Sequence, residues 1–372
     1  GGQGGLSSGS YVLSISDLVT DVFGNRLDGD YDGQPETNPG LTGYSGYQIE
    51  FSVAGQDDVF GAERRANQNP GYVQTLSEPL GTGYARETSN RSIAVDNDGD
   101  YVVVWTSYGQ DDPSSSNGAG VYARRYDRND NPIGDEFRVN NLTAGDQKNA
   151  SIAMDADGDF IVVWEAKGTD GTWDVYAQRF DAAGNRIANE RDDRIPSDPY
   201  RNQSGAEHIE ILVNTTRAGE QFNPSVAVDS YGNYAIAWGS SGVGFTYYSN
   251  VHMQVFDYRG EPVGVEVQVN EPGTGANGGW SKGFKVNPDI AMDADGDIVV
   301  AWDEATQVVN GVVVDTVVMA RMFDRLGMPP AELAGVIGSF VASGGEGIGG
   351  TDVQRMARNP SVARDPEGNF VI

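Results

Sequence analysis

A single pattern recurs along this chain and limits what it can fold into. It runs from Ser92 to Trp105 as Ser-Ile-Ala-Val-Asp-Asn-Asp-Gly-Asp-Tyr-Val-Val-Val-Trp, and returns from Ser151 to Trp164, from Ser225 to Trp238 and from Asp289 to Trp302. A fifth copy opens at Ser361 and stops before its Trp. The first Asp of each copy is Asp96, Asp155, Asp229, Asp293 or Asp365, so the unit is about 60–75 residues long, the mark of a repeat architecture.

A second signature follows inside each unit. Val121 to Asp127 matches Val175 to Asp181, His252 to Asp257 and Met319 to Asp324, and a turn follows each time. Then comes Glu136-Phe-Arg-Val-Asn140, Glu210-Ile-Leu-Val-Asn214 or Glu266-Val-Gln-Val-Asn270; the fourth unit reads Ala331 to Val341 here and has no Val-Asn. Period-2 alternation rich in β-branched and aromatic residues predicts strands. Asp96 to Gly99 between two such runs predicts a tight turn, with Asp accepting backbone N–H groups and Gly relieving the backbone. Each unit therefore reads strand, tight turn, strand, longer loop, strand, tight turn, strand. Four antiparallel strands per repeat predict an all-β, β-propeller-like array over 85–372, with units starting near 91, 150, 223, 287 and 359, the last incomplete. A stray strand between about 71 and 90 is a candidate to close a ring, and 57–84 reads as linker.

The first 56 residues lack the repeat. Tyr11 to Ser16 and Tyr47 to Val53 read as strands around Asp21-Val-Phe-Gly-Asn-Arg-Leu-Asp-Gly-Asp-Tyr-Asp-Gly33. This stretch resembles the closing part of a bacterial Ig-like domain, a partial β-sandwich segment. The repeats resemble the P-S-V-A-x-D-x-x-G-x-x-V-V-x-W units of large secreted bacterial surface proteins. The resemblance implies a secreted or cell-surface location, within a longer chain or assembly.

Composition narrows the functions. Asp plus Glu number 54 against 25 Lys plus Arg, a net charge of −29, which repels nucleic-acid phosphates and anionic lipid headgroups. There is no Cys, and His208 and His252 are the two histidines, so thiolate chemistry is excluded and a histidine base has two candidates. No apolar run is long enough to span a bilayer, so no membrane insertion is expected in this segment.

Calcium is the candidate cofactor. Asp28-Gly-Asp30-Tyr-Asp32-Gly33 places three carboxylates at alternate positions before a Gly, with Glu36 at the ninth place, as in the first half of a calcium loop. Pro39 stands where an EF-hand carries its bidentate Glu. The turns Asp96/Asp98/Asp100, Asp155/Asp157/Asp159 and Asp293/Asp295/Asp297 are further calcium candidates. The same turn survives as Asp229 to Asn233 and Asp365 to Asn369 with fewer acids, and what persists is the Asp and Gly that a hairpin needs.

Trp105, Trp164, Trp238 and Trp302 end the second strand of their units and are expected in the core between sheets; one exposed among three buried would mark a site. Trp173, Trp280, Tyr247 and Tyr248 lie outside the repeat frame and are candidate ligand-binding aromatics. Paired carboxylates for glycoside chemistry cannot be picked from so many acids. The reading that results is a non-enzymatic structural or adhesive module, calcium-stabilised, with other surface proteins or glycans as partners. The alternative is a carbohydrate-binding or glycoside-cleaving β-propeller, favoured if two carboxylates face each other across a site.

Overall fold

A computed structural model describes residues 9–16, 46–53, 66–69, 73–75, 91–110, 118–168, 170–187, 210–242, 249–271, 285–309, 312–329, 339–342, 359–366 and 368–372. The chain divides into two compact units, 1–65 and 66–372. Among the described residues the structure is all-β, with antiparallel sheets and no helix.

In the first unit, β1 (Gly9–Ser16) pairs antiparallel with β2 (Gly46–Val53), Gly9 opposite Val53 and Ser16 opposite Gly46. These are the two strands expected there. The stretch between them, with Asp28, Asp30, Asp32 and Glu36, lies outside the described residues.

The second unit is a succession of antiparallel sheets, one per repeat. Sheet one holds β3 (Val73–Thr75), β4 (Ile93–Val95), β5 (Tyr101–Tyr108), β6 (Ala119–Tyr126) and β7 (Phe137–Arg138). Sheet two holds β8 (Gln147–Met154), β9 (Phe160–Lys167), β10 (Trp173–Phe180), β11 (Arg186–Ile187) and β12 (Glu210–Leu212), the last two both on β10. Sheet three is β13 (Glu220–Val228), β14 (Tyr234–Ser241), β15 (Ser249–Phe256) and β16 (Pro262–Gln268). Sheet four is β17 (Lys285–Met292), β18 (Ile298–Val309), β19 (Val312–Phe323) and β20 (Phe340–Val341). Sheet five shows β21 (Ala363–Arg364) and β22 (Phe370–Val371). The fourth unit, which lacks Val-Asn, still places its last strand at Phe340–Val341 against Met319 and Ala320.

The alternation along each strand divides the side chains by size. In sheet three, Tyr234, Ile236, Trp238 and Phe256 pack against Ala153, Ile161, Val163 and Ala177 of sheet two. The other face of the same sheet offers Ala227, Ala235 and Ala237 to Ile290, Val300, Trp302 and Phe323 of sheet four. Sheet two repeats this toward sheet one, with Phe160, Trp164 and Phe180 against Val102, Val104 and Val121. Large side chains pack against small ones at these junctions, and the stability of such an array lies in neighbour-to-neighbour contacts. The four recurring indoles are buried, with 4%, 1%, 0% and 0% exposure at Trp105, Trp164, Trp238 and Trp302. Tyr234 and Phe256 stack beside them at 5.0 Å.

The first strands of sheets two, three and four carry a bulge at a left-handed Asn, and Asn359 before sheet five has the same backbone. Asn149, Asn223, Asn287 and Asn359 have φ of 54°, 49°, 53° and 55°. Pairing slips there, between Lys148 and Ser151 in sheet two and between Phe222 and Ser225 in sheet three. Asn accepts this backbone more readily than most residues.

Candidate functional site

First strands of successive sheets meet at these bulges and build a continuous polar chain. Asn149 donates its backbone N–H to Thr106 Oγ1 at 3.3 Å, and its side-chain amide to Glu165 Oε1. Asn223 N donates to Glu165 Oε2 at 3.3 Å, and Asn223 Nδ2 to Asn287 Oδ1 at 2.8 Å. Asn287 Nδ2 reaches Asp303 Oδ2 at 2.9 Å and Asn359 Oδ1 at 3.0 Å, and Asn359 N donates to Asp303 Oδ1 at 2.9 Å. Glu165 and Asp303 are 0% and 3% exposed.

These two acids occupy one position, the residue after the recurring Trp. In sheet one it is Thr106 and in sheet three Gly239. A Cβ on Gly239 would lie 2.5 Å from Phe222 Cε2, so the ring of Phe222 fills the place of a side chain there. Two residues past each Asn lies a second row. Ser225 Oγ donates to Asp289 Oδ1 at 2.8 Å, and Val362 N to Asp289 Oδ2 at 2.8 Å. Arg91 Nη2 lies 3.3 Å from Asp289 Oδ2 and also donates to the carbonyl of Val362. Sheet one thus touches sheets four and five through Arg91. Asn223 Oδ1 and Ser151 Oγ are buried here without a hydrogen-bond partner.

The turn acids do a different job. Asp96 Oδ1 accepts the N–H groups of Asp98 and Asp100, each at 2.9 Å. Asp155 does the same for Asp157 and Asp159, and Asp293 for Asp295 and Asp297. Asp100 Oδ1 and Asp159 Oδ1 then accept N–H groups of the neighbouring turn, from Arg128 and Ala182. Asn233 does so for Tyr258 with a neutral amide, which shows that the turn needs an acceptor and not a charge. Among the described residues no three such carboxylates or histidines converge as a metal site would require. Burial first, then its neighbours Asp159 and Asp157, raises the Asp155 carboxyl.

The Glu-x-x-Val-Asn signature proves to be a joint between sheets. Asn140, Asn214 and Asn270 accept the N–H groups of Val121, Val175 and Val251 at 2.8 Å, standing in for a strand partner. The Glu caps the preceding sheet: Glu210 accepts the N–H groups of Asn141 and Leu142, and Glu266 those of Thr215 and Thr216. Burial raises the Glu210 carboxyl against the pull of those N–H groups. Burial would also raise Glu266, but hydrogen bonds from His252 and Thr215 hold it down to about 2. His252 sits on β15, tilted over Trp238.

Part of the stretch read as linker joins sheet one by the same rules. Asn67 bonds Gln74 as Asn140 bonds Gln147, seven residues on in both cases. Glu136 accepts the N–H of Gln68 at 2.6 Å, as Glu210 accepts that of Asn141. Thr75 lies opposite Thr106 on β5, so β3 takes the place that the start of β8 takes in sheet two.

Of the candidate ligand-binding aromatics, Trp280, Tyr247 and Tyr248 lie outside the described residues. Trp173 is not on an open loop: it begins β10 and is buried, with Lys148 Nζ 4.6 Å and Lys167 Nζ 5.8 Å from its ring. Sequence reasoning missed Glu165 and Asp303 because the position after the Trp varies and its neighbour across the sheets is distant in sequence.

No family model matches the chain, and no curated protein matches it. Among solved structures it is similar to an endo-arabinase from Bacteroides thetaiotaomicron, at 11% identity and TM-score 0.38 over 64% of this chain and 78% of that one. It is also similar to a thermostable family-43 glycoside hydrolase, at 13% identity and TM-score 0.34 over 71% and 77%. An α-L-arabinofuranosidase from Fusarium graminearum gives 8% identity and TM-score 0.40 over 68% and 66%. At these values the likeness assigns no residue a role. Against the expectation of a non-enzymatic structural or adhesive module, these three similar structures are those of glycoside-cleaving enzymes, a likeness of fold that carries no activity to this chain.

Proposed function

We propose that the second unit is a β-propeller of five sheets that cleaves glycosidic bonds, with Glu165 and Asp303 as its reacting pair. Ring closure is supported by Arg91 of sheet one, which reaches Asp289 and Val362 in sheets four and five. It is supported too by residues 66–69, which dock on sheet one as the end of each sheet docks on the next. On this reading the bulged first strands line a common axis.

The observation that carries the activity is charge where the fold does not need it. Thr106 caps the next bulge with a neutral hydroxyl, and Gly239 offers no side chain at all. Sheets two and four bury a carboxylate at that position, which costs several kcal/mol of desolvation. Glycoside cleavage uses two carboxyl groups, one protonating the leaving oxygen and one acting as base or nucleophile. The amides of Asn223 and Asn287 lie between Glu165 and Asp303 and fix both.

Glycans are the partners on this reading and the chain works outside the cell, which the net charge of −29 and the surface-protein resemblance support. Calcium held by Asp28, Asp30, Asp32 and Glu36 belongs to the same proposal, and a fall in melting temperature on chelation tests it. The activity is tested by screening aryl glycosides and polysaccharides. Turnover that falls about 10²–10⁴-fold in both Glu165→Gln and Asp303→Asn, with both variants still melting cooperatively as folded proteins, supports the pair. Turnover unchanged in both variants, or absent on every substrate, overturns it.

A further inference from the structure

Trp105 differs from Trp238 and Trp302. Trp238 Nε1 donates to Gln221 Oε1 at 3.1 Å and Trp302 Nε1 to Glu304 Oε2 at 3.3 Å, whereas Trp105 Nε1 is buried without a hydrogen-bond partner. The carbonyl oxygen that would correspond to Gln221's, on Gln74, is engaged by the amide of Asn67. Beside Trp105 lies a cavity of about 190 Å³, lined by Ala66, Asn67, Gln74, Thr75, Val103 and Trp105. Ala66, Asn67, Gln74 and Thr75 line it beside this indole, whereas Trp238 and Trp302 pack among small residues of the preceding sheet.

We infer that this cavity binds a single neutral sugar ring, separately from the carboxylates of the proposed active site and whether or not they cleave glycosides. Its volume is below the several hundred Å³ that take a drug-sized ligand, which suits one ring. Its walls match a sugar's two kinds of surface. The indole, Val103 and Ala66 meet the C–H face, and the indole N–H meets the hydroxyl rim together with the Asn67 and Gln74 amides, whose mutual hydrogen bond gives way to the sugar. Among the described residues no ionisable side chain lines it, so a uronate or amino group would find no counter-charge among them.

The test is ligand-observed NMR of the full chain with glucose, galactose, xylose and arabinose, and with xenon as an apolar guest. At least one sugar binds, its affinity falls tenfold or more in Trp105→Phe, and it is unchanged in the Glu165→Gln/Asp303→Asn double variant. Should Trp105→Phe fail to fold, Gln74→Leu replaces it, with the same loss expected. Xenon bound with no sugar able to displace it, sugar binding untouched by Trp105→Phe, or binding abolished by the double variant would each overturn the site. Glycoside turnover in the same samples reports on the active-site proposal separately.

Discussion

The carboxylate of Asp303 accepts the backbone N–H of Asn359 at 2.9 Å while its other oxygen accepts the side chain of Asn287, so one acid joins two sheets. Asp303→Asn keeps an acceptor for the Asn359 N–H, and Asp303→Ala leaves that buried donor without one. Urea unfolding should show a loss of about 1–3 kcal/mol in the Ala variant and a smaller one in the Asn variant. Equal losses would mean that the charge, not the acceptor, holds the joint.

Arg91 and Asp289 give a second test at the same junction. Asp289 is fully buried, and Arg91 is its cation across the sheets. Arg91→Ala leaves a buried charge uncompensated, which costs about 3–5 kcal/mol. Arg91→Ala combined with Asp289→Ser, which restores the residue type of the other units, should recover much of that in a double-mutant cycle.

Gly239→Ala should destabilise by about 1–3 kcal/mol, because its Cβ would stand 2.5 Å from the Phe222 ring and the core is already filled. Phe222→Leu in the same chain should reduce the penalty. An additive double variant in thermal melts would place the clash elsewhere.

Acid should loosen the joint between sheets two and three. Glu266 titrates near 2 in the folded chain against an ordinary 4.5, so the stability it contributes is complete above the ordinary value and is lost as pH falls toward 2. Glu266→Gln removes that contribution. The difference in unfolding free energy between the two proteins should be constant near neutrality and shrink between about pH 5 and pH 2, and a difference independent of pH would exclude the Glu266 carboxylate as its source.

Trp238 is fully buried between sheets two and three, and Trp238→Ala should cost about 3–5 kcal/mol. Hydrogen exchange should show the loss first in sheets two and three, since contacts in such an array run between neighbours.

The amino-acid pattern by itself determined the strands, the turns and the burial of the indoles. Alternation fixes which side chains share a face, and Asp with Gly closes a hairpin within five residues, as Asp96 to Asp100 does, so these features are local. The role of Glu165, Asp303 and Asp289 was decided only by the tertiary structure. Nothing in the run after Trp164 distinguishes its Glu from dozens of solvated acids; its meaning comes from the Asn149 amide beside it and from Asn223, whose bulge turns a backbone N–H toward it from the next sheet. Gln68 and Gln74 likewise read as linker until the fold set them against Glu136 and β5. Strand identity follows from chemistry between near neighbours, whereas a buried charge or an unsealed indole depends on residues that meet only after the sheets have packed.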